Sequence, residues 1–332
     1  MNVLEVDAVT HRYATTRASR PVLDNVSLSL GSKDIVAVVG ESGCGKTTLG
    51  RLMAGMVPPF EGQVRFEGRD LWSLKGDDLK GYRRAVQVVQ QDPYASLNPG
   101  LTIEDTLGAP LLHHKIVRRR ELKGALMRVL QEVGLDATPA FLMRYPHQLS
   151  GGQRQRVAIA RSMSLQPRVV VADEATSMLD VSLRVAILDL LLSFRQQRDL
   201  AYLFISHDLG LVRYFAQGGR IVVMFYGVIV EEGPCEEVIN RPKHPYTFLL
   251  LEAIPVPDPD VASQRRTEEL ERYAEGQVAS TGCVFYNRCP FAEDACRKAR
   301  PPLADVGGGH TAACFFPERV PSLAESIQGA PR

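Results

Sequence analysis

Residues Gly40-Glu41-Ser42-Gly43-Cys44-Gly45-Lys46-Thr47-Thr48 have the composition and spacing of a phosphate cradle. In the pattern G-x-x-x-x-G-K-[ST], glycines let backbone N–H groups turn toward phosphate oxygens. Lys46 supplies positive charge for the β- and γ-phosphates, and the Thr47 hydroxyl suits Mg²⁺. A helix starting here turns its positive end to the anion. The predicted nucleotide contacts are Gly40, Ser42, Gly43, Gly45, Lys46, Thr47 and Thr48. An ordinary glycine turn is the alternative, and the strand-then-helix context argues against it.

Other candidates follow apolar runs. Asp173 and Glu174 come after Val169-Val170-Val171-Ala172. A carboxylate at a strand end can hold magnesium through its waters, and its neighbour can polarise the attacking water. His207, in Ile205-Ser206-His207-Asp208, offers an imidazole to the γ-phosphate. Gln91 offers its amide to Mg²⁺ and the water, with Gln90 the rival at that strand end. Tyr13 suits stacking on adenine or, equally on spacing, a plain strand aromatic. Leu149-Ser150-Gly151-Gly152-Gln153 is a second glycine-rich helix start. Ser150 makes a good N-cap, and the glycines allow close backbone approach to an anion. Since the cradle already serves the chain's own phosphates, this second start is explained if it faces the γ-phosphate held by a partner chain.

The elements that must position these groups alternate between apolar runs and helical spacing. Residues 34–39, 168–172 and 201–205 read as buried strands, each followed by polar residues, and Lys46 to Met56 as a helix. Such alternation predicts an α/β fold with a largely parallel sheet, whose ligands gather beyond the carboxyl ends of the strands. Between about 92 and 160 the pattern is helical, with Lys115 to Arg120 read as a solvated helix face. Arg220 to Glu231, broken by Gly227, reads as a hairpin. Pro242, Pro245, Pro255, Pro257 and Pro259 mark a linker, with a domain boundary near 235–260.

With 332 residues, the chain holds one large domain or one plus a small appendage. A net charge of +1 gives no global basic field for nucleic acid. The longest apolar run, Ile221 to Val230, falls short of the roughly eighteen residues that span a bilayer. The N-terminus has neither the basic start nor the apolar stretch of a signal peptide, so the expected location is cytoplasmic, with peripheral membrane contact. Cys283, Cys289, Cys296 and Cys314 crowd the tail, spaced C-x₅-C-x₆-C-x₁₇-C. A reducing compartment argues against disulfides, and four thiolates suit either Zn²⁺ or an iron–sulfur cluster.

In this order the motifs resemble an ATP-binding-cassette (ABC) ATPase over about residues 3–250. The resemblance implies a P-loop NTPase fold with a RecA-like core, a helical subdomain at about 92–160 and an N-terminal antiparallel β-subdomain. It makes Tyr13 the adenine-stacking residue, Gln91 the Q-loop and Asp173/Glu174 the Walker B pair. It also makes Ser177-Met178-Leu179-Asp180 the D-loop, with Asp180 its carboxylate, and His207 the switch histidine. Ser150, Gly151, Gly152 and Gln153 become the signature that completes the site of a second cassette. Soluble repair or translation ATPases of the superfamily fit less well: Lys46 and Ser150 are too close for a coiled-coil insertion, and there is one cassette.

Gln91-Asp92-Pro93-Tyr94-Ala95-Ser96-Leu97-Asn98-Pro99, Tyr145-Pro146-His147-Gln148, His244-Pro245-Tyr246-Thr247 and Ala253-Ile254-Pro255-Val256-Pro257 narrow the resemblance. They look like the ATP-binding subunits of dipeptide/oligopeptide-type importers, with 251–332 as the family's Cys-rich C-terminal extension. This implies a second ATPase subunit, usually a paralogue, two transmembrane permeases and an extracytoplasmic solute-binding protein, with the chain on the cytoplasmic face of the membrane. It also implies ATP, Mg²⁺ and a [4Fe–4S] cluster on the four cysteines, with Zn²⁺ as the alternative. Ala175 and Met178 depart from the usual proline and alanine, as in a branch handling oligosaccharides or other solutes. A nickel-type substrate is a further possibility within the family.

Overall fold

The computed structural model describes residues 2–13, 20–253 and 281–323. Pro255, Pro257 and Pro259, read as a linker, lie outside the described residues. The strands are β1 (Asn2–His11), β2 (Leu23–Gly31), β3 (Ile35–Val39), β4 (Glu61–Phe66), β5 (Arg69–Asp70) and β6 (Val86–Val89). They continue with β7 (Val169–Asp173), β8 (Ala201–Ile205), β9 (Arg220–Phe225), β10 (Val228–Pro234), β11 (Ala304–Gly307) and β12 (His310–Ala312). The chain forms two compact units, each assembled from separated stretches: residues 1–7, 27–34 and 50–205, and residues 8–26, 35–49 and 206–332. None of the described helices is long and apolar enough to cross a membrane.

In the first unit β6, β7 and β8 pair in parallel, with Val89 opposite Ala172 and Asp173 opposite Ile205. Strands β7 and β8 are buried almost throughout, which is why they read as continuous apolar runs. A four-stranded N-terminal sheet has the order β2-β1-β4-β5, with β4 and β5 antiparallel. Beyond β6 come the helices Ile103–His113, Leu122–Glu132 and Gly151–Met163, with Leu107, Leu126, Leu130 and Ile159 in their shared interior. The basic patch is only partly a helix face: Lys115 takes φ 54° just past the end of Ile103–His113, residues 115–118 form a connection, and Arg119 and Arg120 lie exposed on the single 3-10 turn Arg119–Glu121.

The second unit arranges its strands as β11-β12-β10-β9-β3. Strand β3 is parallel to β9, and β9 and β10 form the expected hairpin through Tyr226-Gly227, both at positive φ as tight hairpins require. Pro242 and Pro245 do not open a linker: Pro245 begins the helix Pro245–Glu252, a position where its missing N–H costs nothing. That helix buries Tyr246 and Leu251. His244 caps it by accepting from the Tyr246 N–H through Nδ1, and complete burial pushes its imidazole down to about 3. The tail also has more regular structure than its prolines suggest, because β12 pairs antiparallel with β10 (Glu231 opposite Ala312).

A bulge between Ile229 and Glu231 interrupts β10, and the Glu231 side chain is fully buried. Its carboxylate accepts from the backbone N–H groups of Lys243 (2.6 Å) and His244 (2.9 Å) and meets His310 Nε2 at 2.7 Å. Each buried group left without its partner costs about 1–3 kcal/mol. Glu231→Ala is therefore expected to lower stability by about 3 kcal/mol or more. Denaturant unfolding of the full chain measures this, and a loss below about 1 kcal/mol would show that the network does not anchor β12 and the Pro245 helix.

Candidate functional site

In the second unit, β3 runs straight into the predicted cradle, and the helix Lys46–Met53 leaves it. Gly40 takes φ 149°, and a Cβ there would lie 2.1 Å from the Met224 carbonyl oxygen, so no side chain fits. Gly43 takes φ 79° with open space above it, which frees its backbone to face a ligand. Ser42 and Gly43 are exposed, whereas Gly45 and Lys46 are buried. Lys46 Nζ donates to the carbonyls of Gly40 (2.7 Å) and Glu41 (2.9 Å). The ammonium is thus held within the loop. Cys44 packs 3.9 Å from that ammonium, and burial raises its thiol against the pull of Lys46.

Four more predicted residues, Tyr13, Thr47, Thr48 and His207, join this group. The Tyr13 hydroxyl meets Thr48 Oγ1 at 3.1 Å, tying the tyrosine to the cradle helix while the residue stays 37% exposed. Thr47, next to it, is partly exposed. His207 and Gly40 line one cavity of about 320 Å³, together with Asp208 and Leu250. Asp208 caps the helix Leu209–Phe215 and so fixes the turn that presents His207.

The first unit holds the carboxylate group. Asp173 ends β7, and Glu174 follows at φ 48°, a left-handed conformation uncommon for a residue with a side chain. Its backbone is pinned there: its N–H donates to Ile205 O (2.9 Å), and its carbonyl accepts from Ser177 N and Oγ (both 3.0 Å). Gln91 Nε2 donates to Glu174 Oε2 at 2.9 Å, so Gln91 rather than Gln90 meets the carboxylate. Strain concentrated on a positioned carboxylate is common where backbone geometry serves chemistry.

Ser150 caps the helix Gly151–Met163 in a reciprocal box: its Oγ accepts from the Gln153 N–H (3.3 Å), and Gln153 Oε1 accepts from the Ser150 N–H (3.0 Å). Gly152 sits against Leu183, where a Cβ would come within 3.2 Å. Gln155 Nε2 donates to Ala175 O at 2.7 Å, linking this helix to the segment after Glu174. Asp180 caps Val181–Gln197, accepting from the Leu183 N–H and Ser182 Oγ, and these bonds hold its carboxyl below the usual range.

Three residues to which the sequence assigned no role at the site belong here. Tyr246 Oη accepts from the Glu41 N–H at 2.7 Å, and Arg288 donates to both Glu41 oxygens at 2.8 and 3.0 Å. Arg154 donates to Pro146 O and stacks its guanidinium 3.9 Å over the Tyr94 ring, bracing the signature helix. Tyr246 carried a sequence signal through the His244-Pro245-Tyr246-Thr247 motif, and Arg154 directly follows Gln153, whereas Arg288 carried none.

The iron–sulfur expectation is not met, and neither is its zinc alternative. Cys283, Cys289, Cys296 and Cys314 line one small pocket with Phe285 and Pro301. Among the described residues, however, no group of three or more His, Cys, Asp or Glu side chains is arranged to hold a metal ion. Burial raises the Cys283 thiol and pushes Cys289 up to about 12 and Cys314 up to about 11. Burial in this apolar setting therefore makes the Cys283, Cys289 and Cys314 thiols harder to ionise than free cysteines.

Two protein-family models match the chain. One, described as ABC transporter, covers residues 23–177, and the other, oligopeptide/dipeptide transporter, C-terminal region, covers residues 230–296. The probable peptide ABC transporter ATP-binding protein y4tS of Sinorhizobium fredii is 40% identical over 98% of this chain and 92% of its own length. The oligopeptide transport ATP-binding protein OppF of Salmonella typhimurium is 39% identical over 88% of this chain and 87% of its own. Among solved structures, a dimer of the ATP-binding cassette MJ0796 in a post-hydrolysis state with ADP and Pi matches with a TM-score of 0.62. It is 28% identical and covers 70% of this chain and 98% of that one. The cradle, the capped glycine helix start and the pinned carboxylate thus sit in a chain that belongs to the ABC transporter ATP-binding protein family, in the group carrying the oligopeptide/dipeptide transporter C-terminal region.

Proposed function

We propose that this chain is the ATP-binding and hydrolysing subunit of an importer for di- and oligopeptides, acting at the cytoplasmic face of the membrane. One observation carries the reading: a single chain holds two glycine-rich helix starts suited to an anion, one at Lys46 and one capped by Ser150. The reading assigns residues 1–250 to the cassette and 251–332 to the extension. Adenine stacks on Tyr13, and the phosphates rest on Gly40, Ser42, Gly43, Gly45, Lys46, Thr47 and Thr48. Thr47, Gln91 and Asp173 present the hard oxygen donors that Mg²⁺ prefers. When bound, that ion neutralises charge on the β- and γ-phosphates.

Glu174 takes the proton of the attacking water, with Gln91 orienting its carboxylate through their 2.9 Å bond. His207 donates to the γ-phosphate. The signature segment Ser150-Gly151-Gly152-Gln153 and the D-loop Asp180 serve the nucleotide of a second cassette. ATP therefore favours the closed pair by its differential affinity for that state. The partners are a paralogous second ATPase, two transmembrane permeases and an extracytoplasmic solute-binding protein. The segment from Tyr94 to about Leu112 receives the permease, consistent with an exposed Tyr94 at its start.

The test is reconstitution of the four cytoplasmic and membrane subunits in vesicles, with the binding protein added outside. Peptide-loaded binding protein should stimulate both ATP hydrolysis and peptide uptake, and cysteines placed between Tyr94 and Leu112 should crosslink to a permease. Stimulation by an oligosaccharide or nickel and not by peptide would overturn the solute assignment. An assembled complex that hydrolyses no ATP would overturn the role itself.

A further inference from the structure

The C-terminal region reaches into the phosphate loop. In the turn Tyr286–Arg288, between Cys283 and Cys289, Arg288 forms a two-pronged ion pair with Glu41, 247 positions earlier in the chain. Glu41 is the residue directly after Gly40 in the cradle. Its carbonyl accepts from Lys46 Nζ, and its N–H is taken by Tyr246, so the backbone around it is tied at both ends. Its negative charge is felt inside the loop, where it acts on the Cys44 thiol beside Lys46.

The arginine is itself held. Its guanidinium lies 5.5 Å from the centre of the Phe225 ring and 5.6 Å from that of Phe285. Phe225, Tyr246 and Phe285 contact one another with centroids 4.5 to 5.5 Å apart. A second arginine of the tail, Arg300, binds Asp24 at 2.9 Å. The Asp24 N–H donates to Gly227 O, and the Gly227 N–H donates to Cys44 O, both at 2.9 Å. The tail therefore grips the loop from two directions.

We infer that the C-terminal region is a positioning element of the nucleotide site, with Arg288 neutralising and holding Glu41 so that the loop can accept a polyanion. The inference rests on the nucleotide-site reading proposed above. An unpaired carboxylate next to Gly40 opposes incoming phosphates and competes for the Lys46 ammonium. Arg288 removes both effects without touching the nucleotide, and Tyr246 fixes the backbone that carries the carboxylate. Arginine is suited to the task because its planar fork matches both oxygens and its face lies on aromatic rings.

The experiment is equilibrium binding of ATP to the full chain at low and high salt, with thermal unfolding run alongside. Arg288→Ala should weaken ATP binding about tenfold at low salt, or about 1.4 kcal/mol. The deficit should shrink as salt screens the freed carboxylate. The double variant Arg288→Ala/Glu41→Gln should recover most of the lost affinity, which a purely structural role of Arg288 would not allow. In the assembled transporter the single variant should raise the KM for ATP more than it lowers kcat. An Arg288→Ala affinity within twofold of the parent, or a double variant as weak as the single one, overturns the inference. Failure of the parent chain to bind ATP would instead overturn the nucleotide-site reading, and the two failures are distinguished by that control.

Discussion

Replacing Glu174 by glutamine is expected to slow ATP turnover by about 10²–10⁴-fold while leaving ATP binding in place. The amide preserves the shape of the side chain but cannot take a proton from water, so only the transition state loses an interaction. In barrier terms the loss is about 3–5 kcal/mol. The position tolerates the change structurally, because the backbone at φ 48° is held by Ile205 and Ser177 rather than by the carboxylate. Measuring kcat for the assembled complex, together with nucleotide retention, checks both halves. Turnover at the parent rate would remove Glu174 from the chemistry.

Lys46→Ala should act one step earlier, weakening nucleotide binding itself. A charge-assisted contact to phosphate contributes about 1.5–3 kcal/mol net, so ATP affinity should fall about 10- to 150-fold. Lys46 is also the internal tie of the loop, bonded to Gly40 and Glu41 carbonyls. Its removal therefore loosens the backbone that presents the N–H donors. Equilibrium titration of the full chain with ATP reads this directly. If the variant bound ATP as the parent does, residues 40–48 would not be the phosphate site.

Much of the architecture was legible because buried parallel strands leave continuous apolar runs. Ala201–Ile205 matched its strand residue for residue, and Val169–Asp173 differed from the expected run by one position at each end. The two glycine-rich helix starts, at Lys46 and after Ser150, were legible for a different reason: each is contiguous in sequence and written in glycines with a lysine or a capping serine. What lay hidden was non-local or conformational. The Arg288–Glu41 pair joins residues that carry no mutual signal. The left-handed backbone of Glu174 breaks the expectation for its residue type. Strands β11 and β12 are short, and glycines 307–309 masked them. The tail cysteines were misleading because spacing reports which thiols are near in sequence and says nothing of whether their sulfurs converge in the arrangement a metal needs.

The pairing of β12 with β10 has a consequence for how the chain is made. Synthesis runs from the N-terminus, so β3, β9 and β10 emerge well before residues 304–312. Until then β10 presents an open row of backbone donors and acceptors to whatever is nearby, and an unprotected edge of this kind invites pairing with another nascent chain. Glu231, a charge bound for the interior, also waits for His310. Residues 304–312 thus complete the sheet late, and the nascent protein stays vulnerable to misassociation at β10 until they have left the ribosome.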